Sequence, residues 1–339
     1  MKVIELQGKF GLDSLTLAER PQPQPGPGQV LVRVRATSLN FRDLLLATGT
    51  YDPKLKLPFI PLSDGAGEIV AVGAGVTRAK VGDRVANLFM PKWVEGELTP
   101  AKAQSSLGAA NDGMLAEFVV LPEYGVVPIP EHLSFEQAAT LPCAAVTAWN
   151  ALMTPGNLRP GDSVLLQGTG GVSLFALQFA RIAGARVILT SSSDEKLERA
   201  RKLGAADGIN YRTAPDWEVR VRELTGGRGV DHVIEVGGAG TLPKSFKAVR
   251  TGGLISLIGV LTGGAGQVNP LPMVMKAITI RGLYVGSGAM FEAMNQAISL
   301  HRVEPVVDRI FPFEQIREAL AYLQSGAHFG KIVLRMAKS

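Results

Sequence analysis

The chain has 339 residues, a length that makes two domains the expectation, and with 46% hydrophobic and 19% charged residues its composition excludes disorder. Its net charge of +5 is carried by dispersed Lys and Arg, which argues for a solvated basic surface, or one serving an anionic cofactor, and against a nucleic-acid groove. A single cysteine, Cys143, excludes an intrachain disulfide and fits a reducing, cytoplasmic setting.

Met1 to Leu6 runs directly into strand-like sequence, with no leader pattern. Short β-type segments follow at Val30 to Val34, Glu68 to Val72 and Glu117 to Leu121, punctuated by Gly and Pro. Residues 1–123 therefore read as a mostly β domain. The Pro-rich Pro21 to Gly28 is expected to be an extended connection. Pro91 to Gly113 has no apolar period, and a loop of that length is usually functional or mobile. The uncharged stretches Gln137 to Leu158 and Thr251 to Met275 are interrupted by Pro142, Pro155 and Gly-rich turns. Neither is expected to span a membrane.

The central stretch is Ser163 to Ala205. An apolar run, Val164 to Leu166, enters the turn Gly168 to Ser173, and helical spacing follows at Leu174, Leu177, Gln178 and Arg181. A second run, Val187 to Leu189, precedes Ser192-x-x-Glu195, which has the form of a capping box. Strand-like runs recur at Gly208 to Asn210, His232 to Val236, Leu254 to Gly259 and Ile278 to Tyr284. Six strands alternating with helices indicate an α/β domain over 124–285 with a doubly wound parallel sheet. Residues 286–339 are expected to form helices at Phe291 to Leu300 and Phe313 to Leu323, then a strand, Lys331 to Arg335, that rejoins the N-terminal domain.

A turn of this kind presents unpaired backbone N–H groups at a helix N-terminus, where a phosphate is favoured. Gly168, Thr169, Gly170, Gly171 and Val172 are the expected pyrophosphate contacts. The third glycine of the dinucleotide fingerprint is replaced by Ser173. A tight strand-to-helix turn without ligand is the structural alternative.

Further motifs stand in a telling order: Thr37-Ser-Leu-Asn-Phe-Arg-Asp43, Pro61-Leu-Ser-Asp-Gly-Ala-Gly67, Val81-Gly-Asp-Arg-Val85, Leu141-Pro-Cys-Ala-Ala-Val-Thr-Ala-Trp149 and Gly168-Thr-Gly-Gly-Val172. Over essentially its full length the chain resembles the medium-chain dehydrogenase/reductase superfamily, in its zinc-independent, quinone-oxidoreductase-like (zeta-crystallin-like) branch. The resemblance implies a GroES-like catalytic domain beside a Rossmann domain, and a homodimer. In metal-dependent members the catalytic zinc is held from three of these segments; the matching positions here are Asn40, Ser63 and Cys143. An amide, an alcohol and one thiol are a poor donor set, even with Asp64 adjacent. No structural zinc lobe is expected either, because Pro91 to Gly113 contains no cysteine. Cys143 and the scattered His132, His232, His301 and His328 read as structural residues.

An NAD-preferring protein carries an acid about 20 residues beyond the glycine turn; here that place reads Thr190-Ser191-Ser192-Ser193. Ser191 and Ser192 can donate to a 2′-phosphate, and Lys196 supplies a cation. Tyr211 matches a family position beside the adenosine phosphate. NADPH is therefore expected over NADH, although the serines could equally cap a helix and Lys196 could lie on a solvated face. The resemblance places Thr147 on the nicotinamide side, and Val236, Gly259 and Val285 in loops that present backbone groups to the cofactor; all four could instead be packing residues.

Without a metal to polarise it, a simple ketone or alcohol is a poor partner, whereas a quinone or an α,β-unsaturated carbonyl spreads the incoming charge by resonance. Asn40 and Tyr51 are the expected oxyanion donors, on the family resemblance. The alternatives are that Asn40 caps a helix with Asp43 and that Tyr51 packs its ring; Arg42 either orients substrate or pairs with Asp43 on the surface. The expectation is an NADPH-dependent reductase of small electrophiles. The competing functions are a zinc-dependent alcohol dehydrogenase and a non-catalytic NADPH-binding sensor or structural protein.

Overall fold

The computed structural model describes residues 1–154 and 156–336. The chain divides into two compact units, one comprising Met1–Val146 and Gly286–Ser339, the other Thr147–Val285. The expectations that fall on Pro155 and on residues 337–339 lie outside the described residues.

The first unit is built on a mixed sheet. Its strands run in the order Val307–Pro312, Lys331–Arg335, Gln29–Ser38, Asp64–Val72, Arg84–Asn87 and Val126–Pro128, with Phe118–Pro122 also paired to Gln29–Ser38. The predicted C-terminal strand has the bounds read from the sequence, and it pairs antiparallel with Gln29–Ser38, setting Val333 opposite Ser38. On the other side of that strand, Ser38 faces Asp64. Alternating residues Val30, Val32 and Val34 are at most 2% exposed and join a core with Ile69, Leu115, Ile332 and Leu334.

The expected boundary after residue 123 is corrected: residues 124–146 belong to this unit. Val126–Pro128 hydrogen-bonds along Arg84–Asn87, and Ile129 N–H donates to Arg84 O at 3.1 Å. The long segment from Pro91 to Gly113 is also better anchored than its composition suggests. It buries Trp93 and Leu107 and contains a short helix, Pro100–Ala103, capped by Thr99. Its glycines have a particular use. Leu62 is held in the left-handed region at φ 69°, and a Cβ on Gly113 would lie 2.1 Å from Leu62 O. Only glycine permits that approach, which fixes the turn leading into Ser63 and Asp64.

The second unit carries a six-stranded sheet in the order Asp207–Asn210, Arg186–Ser191, Ser163–Gln167, Val230–Glu235, Val249–Leu257, Thr279–Gly282. Every neighbouring pair is parallel. This is the doubly wound order expected, with the direction of winding reversing between Ser163–Gln167 and Val230–Glu235. Both strands are buried along their whole length, as a sheet covered by helices on both faces requires. Among the described residues no helix is long and apolar enough to cross a membrane.

Candidate active site

In the second unit the glycine turn follows directly from the first strand. Gly168 has φ 71°, a conformation costly for any side chain, and its N–H donates to Thr190 O at the end of the neighbouring strand at 2.8 Å. Thr169 is buried beneath the turn. Gly170 is the N-cap of the helix Gly171–Ile182 and supplies no capping side chain, so the first helical N–H groups, from Gly171 and Val172 onward, are available to an anion. A Cβ at Gly168 or Gly170 would meet no atom within 4 Å; the glycines border open space. Ser173 replaces the third glycine without strain because it is buried and its hydroxyl donates to Gln167 O at 2.7 Å. These features fit a dinucleotide pyrophosphate.

A network absent from the sequence reading underlies the turn. Gln167 Nε2 donates to Glu235 Oε2 at 2.7 Å, and Gln167 Oε1 accepts from the N–H groups of Val236 and Gly237, each at 3.2 Å. Glu235 Oε1 accepts from Gly237 N–H, Gly238 N–H and Thr241 Oγ1 at 2.8, 3.0 and 2.6 Å. The signal that could have revealed the pair is its position: a polar residue closing each of two adjacent apolar strands, at the carboxyl edge where such sheets bind ligands. Val236 O accepts from Leu261 N–H, and Gly259 N–H donates to Glu235 O, so several backbone groups expected to face a cofactor are engaged inside the unit. Val285, buried at φ 58°, is pinned by Asn150 Nδ2 on its carbonyl at 2.7 Å. Thr147 is buried.

At the end of the second strand Ser191 is 3% exposed, and its Oγ accepts from Ser193 N–H at 3.3 Å. The capping residue expected at Ser192 is instead Ser193, which accepts from Lys196 N–H and opens the helix Asp194–Lys202. The helix starts one residue later because Ser193 holds the extended backbone of an N-cap. Ser192 is left half-buried with no capping duty. Tyr211 is 42% exposed and its N–H donates to Ser191 O at 3.0 Å, so Ser191 and Tyr211 adjoin. Lys196 is half-buried on the same helix's first turn.

In the first unit, Asn40 is the N-cap of the helix Phe41–Ala47 and half-buried; its N–H donates to Asp43 Oδ2 at 2.8 Å. The capping expectation is met, yet the amide side chain has other partners. Its Oδ1 accepts from Lys331 Nζ at 2.7 Å, and its Nδ2 lies 3.5 Å from Ser63 Oγ. Ser63 in turn donates to Asp64 Oδ1 at 2.8 Å, while Cys143 N–H donates to Asp64 Oδ2 at 3.2 Å. Lys331, missed by the sequence reading, is buried at 3% exposure, also donates to Leu39 O, and lies 3.9 Å from Asp64 Oδ2. Burial pushes the Asp43 carboxyl up to about 6, against the opposing pull of Arg42 and with a further push from Asp64.

Of the alternatives for Arg42, the pairing is present but not on the surface: its Nη1 lies 3.9 Å from Asp43 Oδ1. Its side chain is 9% exposed, donates to Leu107 O at 3.0 Å and stacks 4.9 Å from the Phe89 ring and 5.5 Å from the Tyr51 ring. Tyr51, itself 46% exposed, is thereby tied by Arg42 to the helix that Asn40 opens.

The positions that matched the metal ligands form a poor metal site. Asn40 Oδ1, the only donor atom its amide could offer a metal, is occupied by an ammonium. Burial and the Asp64 carboxylate push the Cys143 thiol up. Among the described residues no group of three or more His, Cys, Asp or Glu could hold a metal ion.

Comparison with known proteins agrees with this architecture. Residues 26–131 match the family described as alcohol dehydrogenase GroES-like domain, and residues 171–300 that described as zinc-binding dehydrogenase. The chain is 46% identical over 309 residues to a zinc-type alcohol dehydrogenase-like protein of Schizosaccharomyces pombe, covering 89% of each. It superposes on an NAD-dependent alcohol dehydrogenase with a TM-score of 0.91 at 36% identity, covering 99% of this chain and 100% of the other. A mycobacterial quinone oxidoreductase and a mycobacterial protein complexed with NADPH each match with a TM-score of 0.82 at 29% identity, over 99% of both chains. The chain belongs to the medium-chain dehydrogenase/reductase superfamily, is an oxidoreductase by that membership, and sits with the quinone-oxidoreductase-like proteins within it.

Proposed function

We propose that this oxidoreductase uses NADPH to reduce a quinone or an α,β-unsaturated carbonyl without zinc, as a cytoplasmic homodimer. The observation that carries the reading is the chemistry of the matched ligand positions: an amide whose oxygen is taken by Lys331, an alcohol that donates to a carboxylate, and a single thiol. Such a set offers hydrogen-bond donors rather than a Lewis acid. Bound at the glycine turn, the nicotinamide supplies hydride, which is the cofactor's own chemistry.

The residues of the chain have the remaining tasks. Gly168, Thr169, Gly170, Gly171 and Val172 would hold the pyrophosphate, with Ser191, Ser192, Lys196 and Tyr211 toward the adenosine. Thr147, Val236, Gly259 and Val285 would bound the nicotinamide end. Asn40 Nδ2 and the Tyr51 hydroxyl would steady the oxygen on which negative charge develops, a role suited to acceptors that spread that charge by resonance.

The competing reading, metal-dependent alcohol oxidation, is the one suggested by the name of the Schizosaccharomyces pombe relative. Elemental analysis of the purified protein, combined with NADPH oxidation before and after chelation, separates the two. The reading expects no stoichiometric zinc and chelator-resistant reduction of an enone or quinone. One zinc per chain, with activity lost to a chelator and restored by the metal, would overturn it.

A further inference from the structure

We propose that Lys331 is the positioning residue of the substrate-oxygen site: its buried ammonium fixes which way the Asn40 amide faces and polarises it as a donor. The inference rests on the reading of Asn40 as an oxyanion donor. Lys331 is brought there by sheet register. Leu39 N–H donates to Ile332 O at 3.0 Å, which sets the start of the C-terminal strand beside the end of Gln29–Ser38 and the N-cap of the following helix, Asn40. At 3% exposure Lys331 cannot be solvated, and its donors are met by protein: Leu39 O, Asn40 Oδ1 at 2.7 Å, and the Asp64 carboxylate at 3.9 Å as counter-charge.

An ammonium has donors and no acceptor, so the amide atom facing it must be Oδ1. The amide's NH₂ is thereby turned away from Lys331, toward Ser63 Oγ, which among the described residues it meets at a long 3.5 Å. Donor capacity is left for a substrate oxygen. A cation on the amide oxygen also draws electron density from its nitrogen and strengthens its N–H groups as donors. Were the amide reversed, Asn40 would present an acceptor to a developing oxyanion and oppose the reaction.

The test is a mutant cycle in the full-length protein, reading kcat with an enone or quinone and, separately, NADPH affinity. Lys331→Met is expected to lower kcat about 10- to 100-fold, the range for losing a charge-assisted bond, with NADPH affinity unchanged. Lys331→Gln, which keeps an N–H donor for Asn40, should retain more activity, and serves in the same cycle if Lys331→Met does not fold. In an Asn40→Ala background the Lys331 substitution should cost nothing further, because a residue acting through Asn40 has no effect once the amide is gone. An unchanged kcat, or losses that multiply, would overturn the inference.

Should the wild type reduce no conjugated acceptor, the proposed function falls, and Lys331 is then judged by NMR of protein labelled with ¹⁵N-asparagine. The side-chain amide signal missing from Asn40→Ala should shift in Lys331→Met or Lys331→Gln. A signal that stays in place would overturn the positioning role.

Discussion

Gln167 and Glu235 close two adjacent parallel strands and join each other across them, Gln167 Nε2 to Glu235 Oε2 at 2.7 Å, with 6% and 0% exposure. The pair sits where the winding of the sheet reverses, so one buried carboxylate ties the end of the strand that feeds the glycine turn to the loop at Val236 to Gly238. Glu235→Ala would remove the acceptor shared by Gln167 Nε2, Ser245 Oγ, Thr241 Oγ1 and the N–H groups of Gly237 and Gly238, leaving Gln167 Nε2 only Ser245 Oγ and Thr241 Oγ1 only Gly238 O. The expected cost is about 3 kcal/mol or more in unfolding free energy, together with weaker NADPH binding as the loop loses its anchor. Urea unfolding and cofactor fluorescence titration measure the two effects; a variant as stable as the wild type would remove Glu235 from the account.

The Asp43 carboxyl gives a pH signature. Its folded pKa of about 6 lies above its ordinary value of 3.8, so between these values the folded state holds a proton that the unfolded state has released. That contribution therefore weakens stability progressively as pH rises from about 4 to about 6, by up to about 3 kcal/mol, and is constant above. Asp43→Asn keeps an acceptor for Asn40 N–H and abolishes the titration. The wild type should lose stability relative to this variant across that window; parallel profiles would contradict the raised pKa.

Much of this was legible in the sequence, for physical reasons. All six parallel strands are legible as short strand-like runs, most plainly the buried Ser163–Gln167 and Val230–Glu235, since buried strands read as continuous hydrophobic sequence, and Lys331 to Arg335 matches to the residue. What local pattern could not show was pairing across long separations. The 126–128 strand is defined by its hydrogen bonds to Arg84–Asn87, so its membership of the first unit was invisible at residue 123. Lys331 looked like an ordinary charged strand end; only a partner 291 residues away reveals it as buried. The capping serine was displaced by one position because three consecutive serines have nearly equal capping propensity.

Cofactor choice is the next expectation. NADPH should bind more tightly than NADH, and Ser191→Asp with Lys196→Ala should narrow or reverse the difference by roughly ten- to a hundredfold, the worth of one hydrogen bond to a charged group. Nicotinamide fluorescence titration reads it directly. Equal wild-type affinities would reduce the serine run to a helix cap.

Self-association is expected through the last strand of the parallel sheet. Thr279–Gly282 pairs on one side only, with Val249–Leu257, and is shorter than the Ile278 to Tyr284 run read from the sequence. Leu271, Val274 and Met275, a few residues earlier in the chain, are 57%, 76% and 74% exposed, apolar surface of the kind that association covers. Sedimentation should show a dimer at micromolar concentration, and Val274→Asp with Met275→Asp should weaken it by about tenfold or more. A wild-type monomer would rule the interface out.

The central claim is that hydride goes to a conjugated acceptor whose oxygen is steadied by Asn40 and Tyr51. It is tested most directly by incubating the metal-free protein with NADPH deuterated at the transferable C4 position and an enone, beside the matching saturated ketone with the same cofactor and the saturated alcohol with NADP⁺. The account predicts deuterium at the β-carbon of the reduced enone, little turnover of the saturated compounds, and a rate about 10²–10³ lower in Tyr51→Phe, the usual loss for one oxyanion donor. Turnover of the saturated ketone or alcohol with no reduction of any enone or quinone would contradict it.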